Sequence, residues 1–286
     1  MTKIKIFIEL TRLNKPIGFM LLFWPCLWGL TLAFNQTNEF GLFINYIILF
    51  FLGSVFMRSA GCIFNDIADK DFDKKVDRTK NRPIPSGKIS TQESFVYIIL
   101  LCLIALIILI QFNFLTIVLG LLSMPFAFSY PYMKRITYWP QLFLGLTFNW
   151  GILMGWAALI GEISLEPILL YIAAIFWTLG YDTIYGFQDI HNDEIIGVKS
   201  TSIKFKENYK IFIGLCYFIC VLFLIILGFL EENKIYYFTF LTFPVMHLFY
   251  QIIRLDKNNS NSCLIVFKSN IFFGFLVFLT FMATNI

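Results

Sequence analysis

Two segments carry acidic residues in a pattern that could do chemistry. The first is Asn65-Asp66-Ile67-Ala68-Asp69-Lys70-Asp71-Phe72-Asp73. The second is Tyr181-Asp182-Thr183-Ile184-Tyr185-Gly186-Phe187-Gln188-Asp189-Ile190-His191-Asn192-Asp193. Residues three or four apart share a helix face. Asn65, Asp69 and Asp73 therefore form one stripe, and Asp182, Tyr185, Asp189 and Asp193 another. Arg58, seven and eleven residues before Asn65 and Asp69, points the same way. Two facing stripes of carboxylates repel unless something positive lies between them. Carboxylate and amide oxygens are the ligands Mg²⁺ prefers, and Mg²⁺ takes only one or two carboxylates before completing its shell with water and phosphate oxygens. That ligation implies a phosphate-bearing substrate. Lys70, Lys74, Lys75, Arg78, Lys80 and Arg82 follow the first stripe, and Lys199 and Lys204 follow the second. Arg and Lys clamp anionic oxygens through charge-assisted hydrogen bonds. Lys74, Lys75, Lys206 and Lys210 read more simply as solvated loop charges.

What positions these residues follows from solvent preference. Hydrophobic residues make up 58% of the 286, charged residues 14%, and the mean hydropathy is +0.75. A soluble fold of this length needs more polar surface. A bilayer removes the need, at roughly 20 apolar residues per crossing. Nine stretches qualify: 17–34, 42–64, 93–110, 113–130, 139–160, 165–186, 210–229, 235–253 and 266–284. Tight junctions at Gln111–Asn113 and Gly161–Glu166 leave eight or ten open. The runs are continuous, so a β-barrel is excluded. In this arrangement 21 of the 22 Lys and Arg residues lie on one side, with only Lys234 opposite. Positive loops stay cytoplasmic, which places the N-terminus and both aspartate segments there.

The expected fold is all-α: a polytopic membrane helical bundle of about nine transmembrane helices around a central cavity open to the cytoplasmic side. Residues 1–286 are expected to form one integral membrane domain. The basic residues flank spans rather than forming a soluble patch, so nucleic-acid binding is not expected; nor is a protein partner. The six cysteines fall mostly in apolar runs without disulfide or zinc spacing. Residues 3–12 are expected to lie along the inner interface. The first apolar run ends in no small-residue cleavage pattern, and with no transit-peptide pattern the expected location is the bacterial inner membrane.

The spacing recurs about 120 residues apart, and each copy is followed by a related stretch, Pro83-Ile84-Pro85-Ser86-Gly87-Lys88 and Gly197-Val198-Lys199-Ser200-Thr201. Matched acidic ends around one chamber are a recurring membrane design. At these residues the chain resembles the UbiA superfamily of membrane prenyltransferases, whose Asn-Asp-x-x-Asp-x-x-x-Asp pattern stands at 65–73 and whose Asp-x-x-x-Asp pattern stands at 189–193. Within it, the likeness runs towards the members that prenylate 4-hydroxybenzoate for ubiquinone biosynthesis. It rests on Arg12-Leu13-Asn14-Lys15-Pro16-Ile17-Gly18, Trp24-Pro25, Asp77-Arg78-Thr79-Lys80-Asn81-Arg82-Pro83, Tyr130-Pro131-Tyr132-Met133-Lys134-Arg135 and Pro140-Gln141. It covers about the first 205 residues; the last three helices match only as apolar spans.

The resemblance implies Mg²⁺-dependent transfer of a polyprenyl chain from polyprenyl diphosphate to the ring carbon ortho to the acceptor's hydroxyl. Asn65, Asp69 and Asp73 would hold one Mg²⁺, Asp189 and Asp193 the other, with Asp66 and Asp182 as direct or outer ligands. Arg58, Lys134, Arg135 and Lys199 would neutralise phosphate or hold the acceptor's carboxylate. Asp69, Asp73, Asp189, Asp193 and Arg135 form the expected catalytic set, and Tyr130, Tyr132, Phe148, Trp150 and Tyr185 the expected aromatic lining. Gly145, Gly151 and Gly155 would line a lateral opening for the tail or serve close helix packing. Menaquinone, homogentisate or haem prenylation would use the same aspartates. An ion transporter fits less well, because its polar groups belong near the bilayer midplane.

Overall fold

The computed structural model describes residues 3–76 and 79–285. Asp77 and Arg78 of the basic stretch lie outside the described residues. The helices are α1 (Lys3–Thr11), α2 (Ile17–Thr37), α3 (Phe40–Ala68), α4 (Lys70–Asp73), α5 (Thr91–Leu109), α6 (Phe114–Ile136), α7 (Pro140–Asn149) and α8 (Gly151–Ile160). They continue as α9 (Leu165–Gly186), α10 (Ile190–Ile196), α11 (Thr201–Lys204), α12 (Tyr209–Gly228), α13 (Lys234–Arg254), α14 (Ser260–Lys268) and α15 (Asn270–Met282). No strand occurs among the described residues.

All nine apolar stretches are helical, two of them as broken pairs: α7 with α8, interrupted at Trp150, and α14 with α15, interrupted at Ser269. Eight helices are long and apolar enough to cross a bilayer. The remaining stretch, α13, has the length at 21 residues but carries Thr239, Thr242, His247 and Gln251 between Lys234 and Arg254, which dilutes its hydropathy. Local chemistry starts several helices. Ser90 and Glu93 form a reciprocal capping box at α5, and Asn113 and Asn259 accept backbone N–H groups at the starts of α6 and α14.

The glycines of the fifth span serve packing. A Cβ on Gly151 would strike Cys26, and one on Gly155 would strike the Cys26 carbonyl and the Leu30 nitrogen; from the other side, one on Gly29 would strike the Ile152 carbonyl. Helices α2 and α8 thus meet backbone to backbone, as small residues allow in membranes. Trp28, Trp156, Trp177 and Phe273 fill the core beside them. A second core lies at the aspartate end, where Leu10 of α1 and Ile84 of the long loop pack on Ala60 and Ile63 of α3. Helix α1 therefore does lie against the bundle. None of the six cysteines is in a disulfide, and five are buried.

At the opposite end, Glu231 sits in the turn between α12 and α13. Burial first, then the charges of Glu166 and Glu232, push its carboxyl up to about 7 against a hydrogen bond to Thr284 that lowers it. The folded chain then holds a proton that the unfolded chain releases near 4.5. Glu231 thus supports folding at low pH, and that support is lost as pH climbs from about 4.5 to about 7. Thermal unfolding of the detergent-solubilised protein should fall in midpoint from pH 5 to pH 8, and Glu231→Gln should flatten that slope. An unchanged slope would assign the dependence to other groups.

Candidate active site

The first aspartate segment stays in helical register across the break between α3 and α4. The Asp69 N–H donates to the Asn65 carbonyl at 2.9 Å and the Asp73 N–H to the Asp69 carbonyl at 2.8 Å. This keeps Asn65, Asp69 and Asp73 on one face, and the Asn65 amide donates to Asp69 Oδ2 at 3.2 Å. Asp66, Asp69 and Asp73 are all buried; Asp71 is 91% exposed.

Buried carboxylates need compensation, and three separate parts of the chain supply it. Arg12, from the turn after α1, pairs with Asp66. Arg82, from the long loop, reaches Asp66 at 3.1 Å and Asp73 at 2.9 Å. Lys134, at the end of α6, pairs with Asp69, with Arg135 behind it at 3.7 Å. Arg135 also donates to the Ala68 carbonyl and lies over the rings of Phe72 and Tyr132. Burial pushes the Asp69 carboxyl up, and Lys134 pulls against it. Its Oδ1 is buried without a hydrogen-bond partner.

The second segment leaves α9 and turns through α10. Gly197 ends α10 with φ at 79°, a left-handed conformation that glycine adopts without Cβ strain. The following stretch then docks back on α9. The Thr201 N–H donates to Gln141 Oε1 at 3.0 Å, the Thr201 and Thr183 hydroxyls share a hydrogen bond, and Ser202 donates to the Thr183 carbonyl. A Cβ on Gly186 would collide with Ser202. The stretch 197–201 is thus a latch on α9.

Lys134 links the first segment to the stretch that follows the second. Its ammonium holds Asp69 while its carbonyl accepts the Lys199 N–H at 2.8 Å. Tyr130, one turn earlier on α6, lies within electrostatic range of both Asp69 and Asp182, and of Arg58. Arg58 stacks over Phe148 at 5.3 Å, lies within electrostatic range of Asp182, and has a buried Nε without a hydrogen-bond partner. Tyr185 packs on Phe267 at 4.4 Å and lies within range of Arg12.

A family model described as the UbiA prenyltransferase family matches residues 22–279. The chain belongs to that family. Relatives of the UbiA chain include the mitochondrial 4-hydroxybenzoate polyprenyltransferase of Rattus norvegicus, 41% identical over 285 residues, which are 98% of this chain and 75% of the relative. They also include 4-hydroxybenzoate geranyltransferase 2 of Lithospermum erythrorhizon, 40% identical over 279 residues, 96% of this chain and 89% of the relative. Among solved structures, the apo form of a UbiA homolog from Aeropyrum pernix K1 superposes with a TM-score of 0.73 at 22% identity, covering 91% of this chain and 96% of the other. A UbiA homolog from Archaeoglobus fulgidus bound to GPP and Mg²⁺ gives 0.70 at 18%, covering 96% and 99%. The last three helices of the UbiA chain, legible only as apolar spans, are therefore family fold. It is an integral membrane protein.

The same geometry tests whether the UbiA chain suits Mg²⁺. Among the described residues no three His, Cys, Asp or Glu side chains form a group that could hold a metal. The first segment already meets Arg12 at Asp66, Arg82 at Asp66 and Asp73, and Lys134 at Asp69. The donor set is nevertheless all oxygen, and Asp69 Oδ1 is a buried acceptor with no hydrogen bond, only the Arg135 guanidinium at 3.7 Å. Sparse carboxylates completed by phosphate are how Mg²⁺ is held beside diphosphates, so the residues fit. Lys199 behaves differently from Lys134. Its ammonium donates to the Ile136 carbonyl at 3.1 Å and lies over Tyr138. Trp150 donates to the Leu119 carbonyl and joins α6 to the α7–α8 junction. His191 is exposed, off the stripe.

Arg12 is the residue sequence reading left without a role, standing in an interfacial run typical of solvated charge. Arg82, expected to clamp phosphate with the other basic residues after the first stripe, instead bridges Asp66 and Asp73. One signal was physical: Arg12 has φ at 56°, a conformation costly for a residue with a Cβ, and such strain gathers at functional sites.

Proposed function

We propose that this chain transfers a polyprenyl group from polyprenyl diphosphate to the ring carbon ortho to the hydroxyl of 4-hydroxybenzoate, releasing diphosphate, in ubiquinone biosynthesis. The observation that carries the proposal is Lys134, which ties Asp69 to the start of the latch after the second segment. One anionic group could then be reached from both. The relatives named above carry this activity in their names.

In this reading Asn65, Asp66, Asp69 and Asp73 on one side, and Asp189 and Asp193 on the other, would hold Mg²⁺, which supplies charge neutralisation for the departing diphosphate. Lys134 and Arg135 face the phosphate oxygens and are already ordered before substrate arrives, so little reorganisation is needed. The allylic C–O bond breaks with its electron pair leaving on diphosphate. The allylic carbon is then attacked by the electron-rich ring carbon of the acceptor, and loss of the ring proton restores aromaticity. Tyr130, Phe148 and Tyr185 offer π faces to the developing cation. Arg58, stacked on Phe148 with an unused buried N–H, is placed to receive the acceptor's carboxylate, with Asp182 and Tyr130 beside it.

The orientation belongs to the same reading. The Lys and Arg bias argues for the N-terminus and the aspartate end on the cytoplasmic side, and the membrane in this reading is a bacterial inner membrane with the substrate chamber open to that side. A panel assay tests the chemistry. Purified protein with Mg²⁺, a polyprenyl diphosphate and each of 4-hydroxybenzoate, homogentisate and a naphthoate should give prenylated product with the first. Product only with another acceptor would overturn the assignment while leaving the family intact.

A further inference from the structure

The C-terminal helices carry a polar cluster that the chemistry above does not use. Gln251 of α13 and Asn270, the first residue of α15, are fully buried in apolar surroundings. The Gln251 amide donates to Asn270 Oδ1 at 3.0 Å and to Ser269 Oγ at 3.3 Å. Tyr217 of α12 donates its hydroxyl to Gln251 Oε1. Trp177 of α9 donates its indole N–H to the same Asn270 Oδ1 at 2.7 Å. The Asn270 amide donates in turn to the Val266 and Phe267 carbonyls, beside the break between α14 and α15. Four elements, α9, α12, α13 and the α14–α15 pair, are thereby bonded through two amide side chains. Buried polar groups are costly when unpaired, so each partner locks the others.

The consequence reaches the second aspartate segment. By capping the end of α14, Asn270 fixes Phe267, whose ring lies 4.4 Å from Tyr185 and 5.9 Å from Tyr181. Those tyrosines bracket Asp182. Trp177, one turn before Tyr181, packs on that ring at 4.8 Å. The clasp therefore grips α9 twice, at Trp177 by hydrogen bond and at Tyr185 through Phe267. We infer that Asn270 and Gln251 are positioning residues that hold the Tyr181–Tyr185 face of α9 in register for the reaction. The inference rests on the proposed prenyl transfer for its catalytic consequence and on packing alone for its structural one.

Trp177→Phe tests it: it keeps an aromatic ring at that position and cuts the link from α9 to Asn270, while also removing part of a fully buried indole. Tyr237→Phe is the control: it removes one equally buried hydrogen bond, to the Leu224 carbonyl, at the end of the bundle away from the aspartates. Two readouts are needed in the full-length protein in detergent. Hydrogen–deuterium exchange should rise several-fold across residues 181–197 in Trp177→Phe and not in Tyr237→Phe, with residues 65–76 unchanged in both. Turnover should fall about tenfold in Trp177→Phe with KM for the diphosphate substrate unmoved, and stay near wild type in Tyr237→Phe. Asn270→Val should exaggerate both effects. If the two single variants lose thermal stability alike and are indistinguishable in exchange and turnover, the clasp is ordinary packing and the inference fails. Selective exchange in a wild-type protein that shows no transfer to any acceptor would keep the positioning role and overturn the proposed reaction.

Discussion

Asp69→Ala is expected to lower kcat/KM for prenyl transfer about a thousandfold, the scale on which a preorganised charged group acts in a transition state, while the protein still folds. The expectation comes from how Asp69 is held. Its Oδ2 is engaged by Lys134 and Asn65, whereas its Oδ1 is buried and lacks a hydrogen-bond partner. Burial drives this carboxyl towards its neutral form and Lys134 opposes that, an uneasy balance that a bound cation would resolve. Removing the carboxylate leaves Lys134 and Arg135 without a counter-charge, but their side chains are 29% and 37% exposed. They can turn to water, so the loss of stability should be small. Asp71→Ala is the internal comparison. Asp71 is 91% exposed and pairs with Lys74 at 3.7 Å, so its removal should change nothing measurable. Steady-state kinetics with matched thermal unfolding separates the two. Equal activity in both variants would remove Asp69 from the site.

The contrast between Asp69 and Asp71 marks how far the sequence could be read. Four-residue spacing was enough to group Asn65, Asp69 and Asp73, because a helical register survives the small kink at the end of α3. Apolar runs were enough to find every long helix, because only helices satisfy their backbone in lipid. What pattern could not reach is which cation faces which acid. Arg12 lies 54 residues from Asp66 and Lys134 65 residues from Asp69; such pairings depend on how loops fold back. Pro83, Ile84 and Pro85 looked like a polar connection with breakers. They are in fact buried, and Ile84 anchors the loop in the small core under α1. The latch at 197–201 was similarly opaque: the Thr201 hydroxyl is spent on α9 and the Ser200 hydroxyl on capping α11. Asn270 and Gln251 gave no signal, since one amide in an apolar span has no period.

That folded-back loop sets the second large effect. Arg82→Ala should abolish most prenyl transfer and also destabilise the protein, a pairing that Asp69→Ala should not show. Arg82 bridges Asp66 at 3.1 Å and Asp73 at 2.9 Å, and it enters beside Ile84, whose burial holds the loop down. Loss of the guanidinium takes away the partner that sits 2.9 Å from Asp73 and one of the two described partners of Asp66. Removing one partner of a buried pair costs about 3 kcal/mol or more, because the stranded charge stays out of water. Asp66 is 1% exposed and cannot be rescued by solvent. Arg82→Lys restores a charge but not the fork that spans two carboxylates, so it should recover part of the stability and little of the activity. The double variant Arg82→Leu with Asp73→Asn removes both charges of one pair. It should regain more stability than Arg82→Ala while staying inactive, since Asp73 is lost from the acidic face. Thermal midpoints of the three proteins, read beside kcat/KM, decide the matter. If Arg82→Ala were as stable as wild type, the loop would not be clamped by this bridge, and the buried carboxylates would draw their compensation from cations other than Arg82.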